Sequence, residues 1–391
     1  MADLQRNPIV LNKSHLSQQS AHEQGNATDP TRLIRPTFIL RLAFCILRVA
    51  RALASIVVTI IGLLLVTFMI GRVIPVDPVL AVVGDQASPE SYAAARAEMG
   101  LDRPLLVQVG MYFGKFGRGD LGTSTLTRRP IVEDIALYFP ATLELATLAT
   151  LFGIILGIPA GVYSAARRGR LPDHVIRIIS LFGYSMPTFW LGMIGLLVLY
   201  AKLGWIAGPG RIDILYDGMV PAVTRLLLVD SLLAGNFRAF ASACAHIALP
   251  SAILGYFSMA YIARMTRSFM IDQLTQDHII AARAKGLSEG RVVWRHALGN
   301  AAVPLVTVVA LSYGSLLEGS VLTETVFAWP GLGLYLTNAL LSADMNAVLG
   351  ATVVIGLVFL GVFSCIELAR RIRHKCTYLG VNFVQILPET G

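Results

Sequence analysis

A chain that hydrolyses ATP needs a loop of the form Gly-x-x-x-x-Gly-Lys-Ser/Thr, whose glycines let backbone N–H groups close around the phosphates. In this sequence Lys13-Ser14 is the only Lys followed by Ser or Thr, and no glycine precedes it at that spacing. A zinc hydrolase of the His-Glu-x-x-His type needs two histidines one helical turn apart, and that motif does not occur. Cys45, Cys244, Cys365 and Cys376 lack the paired spacing of a zinc site or a disulfide framework, so neither is implied. What remains is the chemistry of binding. Tyr184, Met186, Pro187 and Phe189, with His246, Tyr256, Ser258 and Tyr261, place aromatic and hydrogen-bonding groups inside apolar blocks. Such groups either line a path for a polar solute or bond neighbouring helices. Glu144 and Glu318 stand at the edges of such blocks. A carboxylate at bilayer depth is a functional candidate, and at a helix end it can equally anchor to the headgroup region.

The elements that must hold these residues follow from composition. The 391 residues are 55% hydrophobic and 14% charged, with a mean hydropathy of +0.66, which excludes an ordinary soluble enzyme. About 20 apolar residues are needed to cross the hydrocarbon core. Stretches of that length without Asp, Glu, Lys or Arg are Ala52–Gly71, Leu145–Ala166, Ile178–Ala201, Ala239–Ala263, Ala297–Leu317 and Met345–Ile366. The expected fold is therefore an all-α integral membrane bundle of six spans over residues 52–366. Pro159, Pro187, Pro250 and Pro304 lie inside these blocks, where bundled membrane helices tolerate them, and Pro187 should kink its helix.

Residues 1–36 are polar and read as a disordered tail without the apolar core of a signal peptide. Residues 37–51 set Arg41, Arg48 and Arg51 against Leu, Phe and Ile, which suits an interfacial amphipathic helix or an extension of the first span. Residues 367–391 form a second tail. With the amino terminus inside, the cytoplasmic pieces carry 21 of the 32 Lys and Arg residues, against 11 outside. The positive-inside rule then puts both termini in the cytoplasm. The net charge of +8 follows from this topology and calls for no nucleic acid.

Three connections carry signals of their own. Between the first two spans, Ser88-Pro89-Glu90 predicts a capped helix over Ser91–Met99 within a long external loop. Glu324–Gly333, with Pro330 among glycines and aromatics, suits either a re-entrant scoop or an ordinary external turn. The cytoplasmic loop Arg264–Arg295 is longer than a simple connection. In it Asp277 can cap a helix from His278, Gly286 can end that helix in the left-handed region, and Ser288 can cap a second helix through Trp294. Helix, glycine, helix suits docking into a groove on another protein, or lying on the membrane surface.

The residues of that loop carry a resemblance. Ala281-Ala282-Arg283-Ala284-Lys285-Gly286-Leu287-Ser288, then Arg295-His296-Ala297-Leu298-Gly299-Asn300-Ala301, resembles the Glu-Ala-Ala…Gly loop of permease subunits of ABC importers. Ile280 stands where Glu is usual and Gly299 where Pro is common, departures that fit the dipeptide/oligopeptide/nickel branch. Arg72–Pro78, with Val76 for the usual Gly, is similar to an element of that branch. So are Leu101–Pro104, Gly119–Ser124, Pro140–Leu145, Ser185–Trp190 and Glu324–Gly333, in the same order along about residues 52–366.

The resemblance implies a non-catalytic transport subunit of the bacterial inner membrane, with a periplasmic loop between its first two spans. Its coupling helix, at Asp277, Ala281, Ala282, Lys285 and Gly286, would meet an ATPase. The partners implied are a second related permease, two ATP-binding subunits and a periplasmic substrate-binding protein. ATP and magnesium would sit on those partners, with no cofactor on this chain. Peptides are the first cargo implied; nickel chelates, opines or glutathione-like compounds use similar subunits. A proton-coupled secondary transporter is the rival class, and it needs ionisable groups at mid-membrane, where these blocks offer only His246.

Overall fold

The structure, a computed structural model, describes residues 51, 53–69, 78–84 and 87–378, with backbone alone at 78, 81, 82, 98 and 365–378. The expected tail 1–36, the segment 37–50 and the end of the second tail from 379 lie outside the described residues. Two compact units are separated, Met1–Ile61 and Gly62–Gly391. In the first, residues 51 and 53–61 are helical; the second holds the bundle.

The described residues form helices and no named strand, with one isolated bridge between Thr123 and Pro130. Helix α1 (Leu53–Met69) is followed by α2 (Pro78–Val83), α3 (Pro89–Glu98) and α4 (Leu105–Gly117). Then come α5 (Ile131–Ala166), α6 (Leu171–Ser185) and α7 (Thr188–Gly195), which continues in π geometry through Leu196–Lys202. The rest are α8 (Leu227–Leu233), α9 (Phe237–Leu274), α10 (Asp277–Ala284), α11 (Glu289–Gly319), α12 (Val321–Val326), α13 (Leu332–Leu341) and α14 (Met345–Tyr378).

Four of these, α5, α9, α11 and the Met345–Ser364 part of α14, are long and apolar enough to cross a bilayer. The expected span Ile178–Ala201 is not one helix, because α6 and the segment Thr188–Lys202 meet at 97°. Pro187 supplies no N–H to the α6 ladder and holds Met186 extended at φ −86°, ψ 135°. The first expected span is seen as α1 over its described part, Leu53–Met69, with residues 52, 70 and 71 outside the described residues.

Elsewhere the helices overrun the charge-free windows. α5 has 36 residues and begins at Ile131 rather than Leu145, and α9 has 38 and ends at Leu274 rather than Ala263. At 1.5 Å per residue each is about 55 Å long, well beyond a hydrocarbon core of about 30 Å. Charge ends the bilayer-compatible stretch without ending the helix. Ser88 caps α3 by accepting from Ser91 N–H, with Pro89 at its start and Glu90 in its first turn, as the sequence predicts.

The centre of the bundle is the α5–α9 contact. Gly153, Gly157 and Gly161 repeat every four residues along α5 and face Ser258, Met259, Ile262, Ala263 and Thr266 of α9. A Cβ on Gly157 would lie 3.0 Å from the Met259 carbonyl oxygen, and one on Gly161 would lie 2.6 Å from the Ala263 carbonyl oxygen. Backbones approach this closely only where side chains vanish. Residue numbers rise together across the contact, so α5 and α9 run parallel, and the chain between them must return through α6 and α7. Because the obstruction is backbone, Gly161→Leu is expected to cost roughly 3 kcal/mol or more. The check is thermal unfolding of the detergent-solubilised chain, with Gly110→Leu on the open side of α4, where nothing lies within 4 Å, as the near-neutral comparison.

Candidate functional site

At one end of the bundle, α10 packs back onto the long helices. Ile279 and Ala282 join Val162, Ala165, Met270, Val292, Val293, Ala297, Ala301 and Leu305 in one apolar cluster. Asp277, Ile280, Ala281, Lys285 and Gly286 are exposed. The five residues expected to meet an ATPase are thus divided, four outward and Ala282 inward. The cap position is held by Gln276, extended at φ −76°, ψ 148°, and Asp277 is instead the first helical residue, where its charge suits the amino-terminal dipole. Gly286 does end the helix, at φ +77°. Ser288 precedes the next helix without a side-chain cap bond, and that helix runs on unbroken into the expected fifth span through a π segment, Val292–Ala297. Arg283 ties the two arms together through Glu289 at 2.8 Å.

Beside this cluster, Asp173 is buried at the start of α6. Arg267 of α9 grips it in a fork, Nε at 2.7 Å and Nη2 at 3.0 Å, and Ser164 Oγ and Gly169 N–H donate to the same carboxylate. This fixes the turn Arg167–Arg170 against α9.

The residues expected along a pathway gather where α6 breaks. Tyr184 stacks on Phe257 at 5.6 Å between ring centroids. Tyr256 Oη donates to the Ile179 carbonyl at 2.7 Å, locking α6 to α9. Phe189 and Pro187 are exposed just past the bend, and Met186 and Tyr261 are half-buried. Ser258 is buried and bonds Ser312 of α11 at 2.9 Å, so it joins helices and does not face a path. His246 is likewise buried, its Nδ1 2.8 Å from the Ser242 carbonyl.

The opposite end is built on buried carboxylates, only one of which the sequence singles out by itself. Glu144, an expected anchor, accepts from Arg211 at 2.6 Å and from Leu228 N–H at 2.7 Å. Glu324, fully buried, accepts from Thr142 Oγ1, Ser320 Oγ, Gly333 N–H and Leu334 N–H. Burial pushes its carboxyl up from the ordinary value, and those four donors oppose the rise. Trp329 Nε1 donates to the Ala141 carbonyl, so the segment from Glu324 to Gly333 is seated on α5. Asp344 receives Ser124 Oγ and Leu126 N–H. Asp230 receives Thr224 and Arg225; burial raises its carboxyl, but these donors carry it below the ordinary value. Glu318 is exposed. Glu144, Glu324 and Asp344 each draw a partner from far away in sequence, Arg211, Thr142 and Ser124, whereas Asp230 is served by its own turn; Glu144 and the Glu324–Gly333 motif are the ones the sequence marks beforehand.

No group of three or more His, Cys, Asp or Glu able to hold a metal occurs among the described residues. Taken together, the site is an outward helix-turn at one end, an aromatic bend in the middle and a braced set of loops at the other end.

Comparison with known proteins supplies the lineage. The family described as "Binding-protein-dependent transport system inner membrane component" matches residues 157–374, and its amino-terminal companion family matches residues 42–146. The di/tripeptide transport system permease protein DppB of Pseudomonas aeruginosa is 43% identical over 84% of this chain and 98% of its own length. The probable D,D-dipeptide transport system permease protein DdpB of Escherichia coli is 41% identical over 80% of this chain and 92% of its own. The dipeptide transport system permease protein DppB of the same species is 40% identical over 84% and 98%. The chain belongs to the family of inner membrane components of binding-protein-dependent transport systems, as a non-catalytic ABC importer permease of the peptide type.

Proposed function

We propose that this chain forms half of the translocation pathway of an ATP-driven peptide importer, paired with a second, related permease. It crosses the inner membrane six times, with α1 and the bent α6–α7 pair as the first and third crossings and both termini in the cytoplasm. One of two ATP-binding subunits docks on the outward face of α10, and the pair of them carries the ATP and magnesium. A periplasmic substrate-binding protein delivers cargo to the braced end, over the loop between the first two spans. Closure of the ATPase pair is conveyed through α10 to α9 and α11, because Ile279 and Ala282 pack against both.

The observation that carries this reading is the near full-length match to peptide permeases. The grouping of loops supports the topology. The Arg167–Asp173 turn and the α10 segment meet at one end, and the segments around Ser124, Arg211 and Glu324 meet at the other, as an inside and an outside set would.

Reconstitution tests it. The chain is co-expressed with its partner subunits, and the purified assembly, in vesicles supplied with the binding protein, should accumulate labelled Ala-Ala only when ATP is present. Uptake of a nickel chelate, an opine or glutathione in place of dipeptide would reassign the cargo within the same class. Uptake driven by a proton gradient without ATP would overturn the reading.

A further inference from the structure

We propose that Arg264, set against Tyr184 and Tyr261, is a carboxylate-binding station in the pathway that takes the carboxy-terminal group of a passing peptide; this rests on the peptide-importer reading above.

Phe257, Tyr261 and Arg264 recur at the spacing that puts them on one face of α9. The Arg264 guanidinium lies 4.7 Å from the centroid of the Tyr184 ring and 5.9 Å from that of Tyr261. Tyr184 in turn stacks on Phe257 at 5.6 Å. Its place is fixed by the α6–α9 seam, where Gly183 leaves a gap so small that a Cβ there would be 2.9 Å from the Tyr256 ring and 3.0 Å from Ala260. The cation is therefore held on aromatic faces next to the 97° break at Met186-Pro187.

What it lacks points to a ligand. Four ion pairs occur among the described residues, and Arg264 is in none of them. Arg267, one turn further along α9, consumes Asp173 with its fork. A guanidinium stays charged and presents its N–H donors in a plane that matches a carboxylate two-to-two. With its Cζ over the Tyr184 ring and no ion pair among the described residues, the guanidinium keeps N–H donors available. The residue is exposed on the surface of this chain. A peptide zwitterion crossing a bundle needs a partner for its carboxylate at low dielectric, and aromatic rings beside the cation suit side chains of any kind. The sequence signal was hidden because Arg264 is the first residue past the charge-free window and reads as a loop residue, whereas α9 continues for another ten.

The test uses the assembled transporter with its binding protein, in phosphatidylcholine vesicles with and without phosphatidylglycerol, and reads labelled Ala-Ala moved per ATP hydrolysed. If the wild-type assembly moves no dipeptide, the importer reading itself fails, and this proposal with it. If it does, Arg264→Gln is expected to lower the ratio roughly tenfold, and Arg264→Lys, which keeps charge but not the fork, several-fold. Should Arg264→Gln not assemble, Arg264→Lys carries the test. Wild-type ratios in the assembled variants would overturn the station while leaving the importer standing. A loss seen only in vesicles containing phosphatidylglycerol would assign the guanidinium to a lipid phosphate and also overturn it.

Discussion

Glu324→Ala should unfold the outer loops at temperatures where the wild-type chain is intact, and Glu324→Gln should do so less severely. Both carboxylate oxygens are fully used: one accepts the hydroxyls of Thr142 and Ser320, the other the N–H groups of Gly333 and Leu334. An amide can keep its oxygen on the Gly333 and Leu334 N–H groups and turn its NH2 toward the Thr142 and Ser320 hydroxyls, which rotate to accept, whereas alanine leaves all four donors without their acceptor. Leaving buried donors unpaired costs about 1–3 kcal/mol each, and more where the lost acceptor was charged. A total of roughly 3–5 kcal/mol follows. The loop is packed tightly here, since a Cβ on Gly331 would lie 2.6 Å from the Glu324 carboxyl carbon and from Thr142 Oγ1. The measurement is thermal unfolding in detergent with cleavage by an added protease at the loops. Glu318→Gln, an exposed carboxylate on the neighbouring helix, should melt like wild type. Equal melting of Glu324→Ala and wild type would show that the loop is not held by this side chain.

What the sequence could reveal was whatever is written within a turn or two of chain. Uncharged blocks mark where α5, α9, α11 and α14 can cross, Pro187 marks the break after α6, and Ser88 and Gly286 mark helix ends through their own backbone requirements. Helix length beyond those blocks was not legible, because Asp134 or Arg267 is as compatible with a helix as with a loop. Nor were the contacts that brace the bundle. Glu144 finds Arg211 after 67 residues and Ser124 finds Asp344 after 220, and a single sequence holds no record of such pairing. The orientation of α10 was hidden for a related reason. Ala281 and Ala282 look interchangeable in the motif, and only packing on Val162 and Val293 turns one in and leaves the other out.

That division makes the coupling prediction sharper than the motif alone allows. Ala281→Asp is expected to abolish capture of the ATP-binding subunits, at least tenfold in a pull-down, while the chain itself folds and melts normally. The site is solvent-exposed in the free chain, so the carboxylate costs nothing there. Seated in a groove it would lose its water without gaining a partner. Gly286→Val should weaken capture through the backbone, since φ is +77° and a β-branched residue there costs on the order of 1–2 kcal/mol. No atom lies within 4 Å of the added Cβ, so the loss would come from conformation alone. Ala282→Asp is the contrast. It buries a charge among Ile279, Val162 and Val293, and should lower the melting temperature before any partner is added. A docking helix therefore predicts two different failures from adjacent alanines, loss of partner at 281 and loss of fold at 282. A helix that merely lay on the membrane would tolerate Ala281→Asp and Gly286→Val with wild-type pull-down and transport, and that result would break the link between α10 and an ATPase.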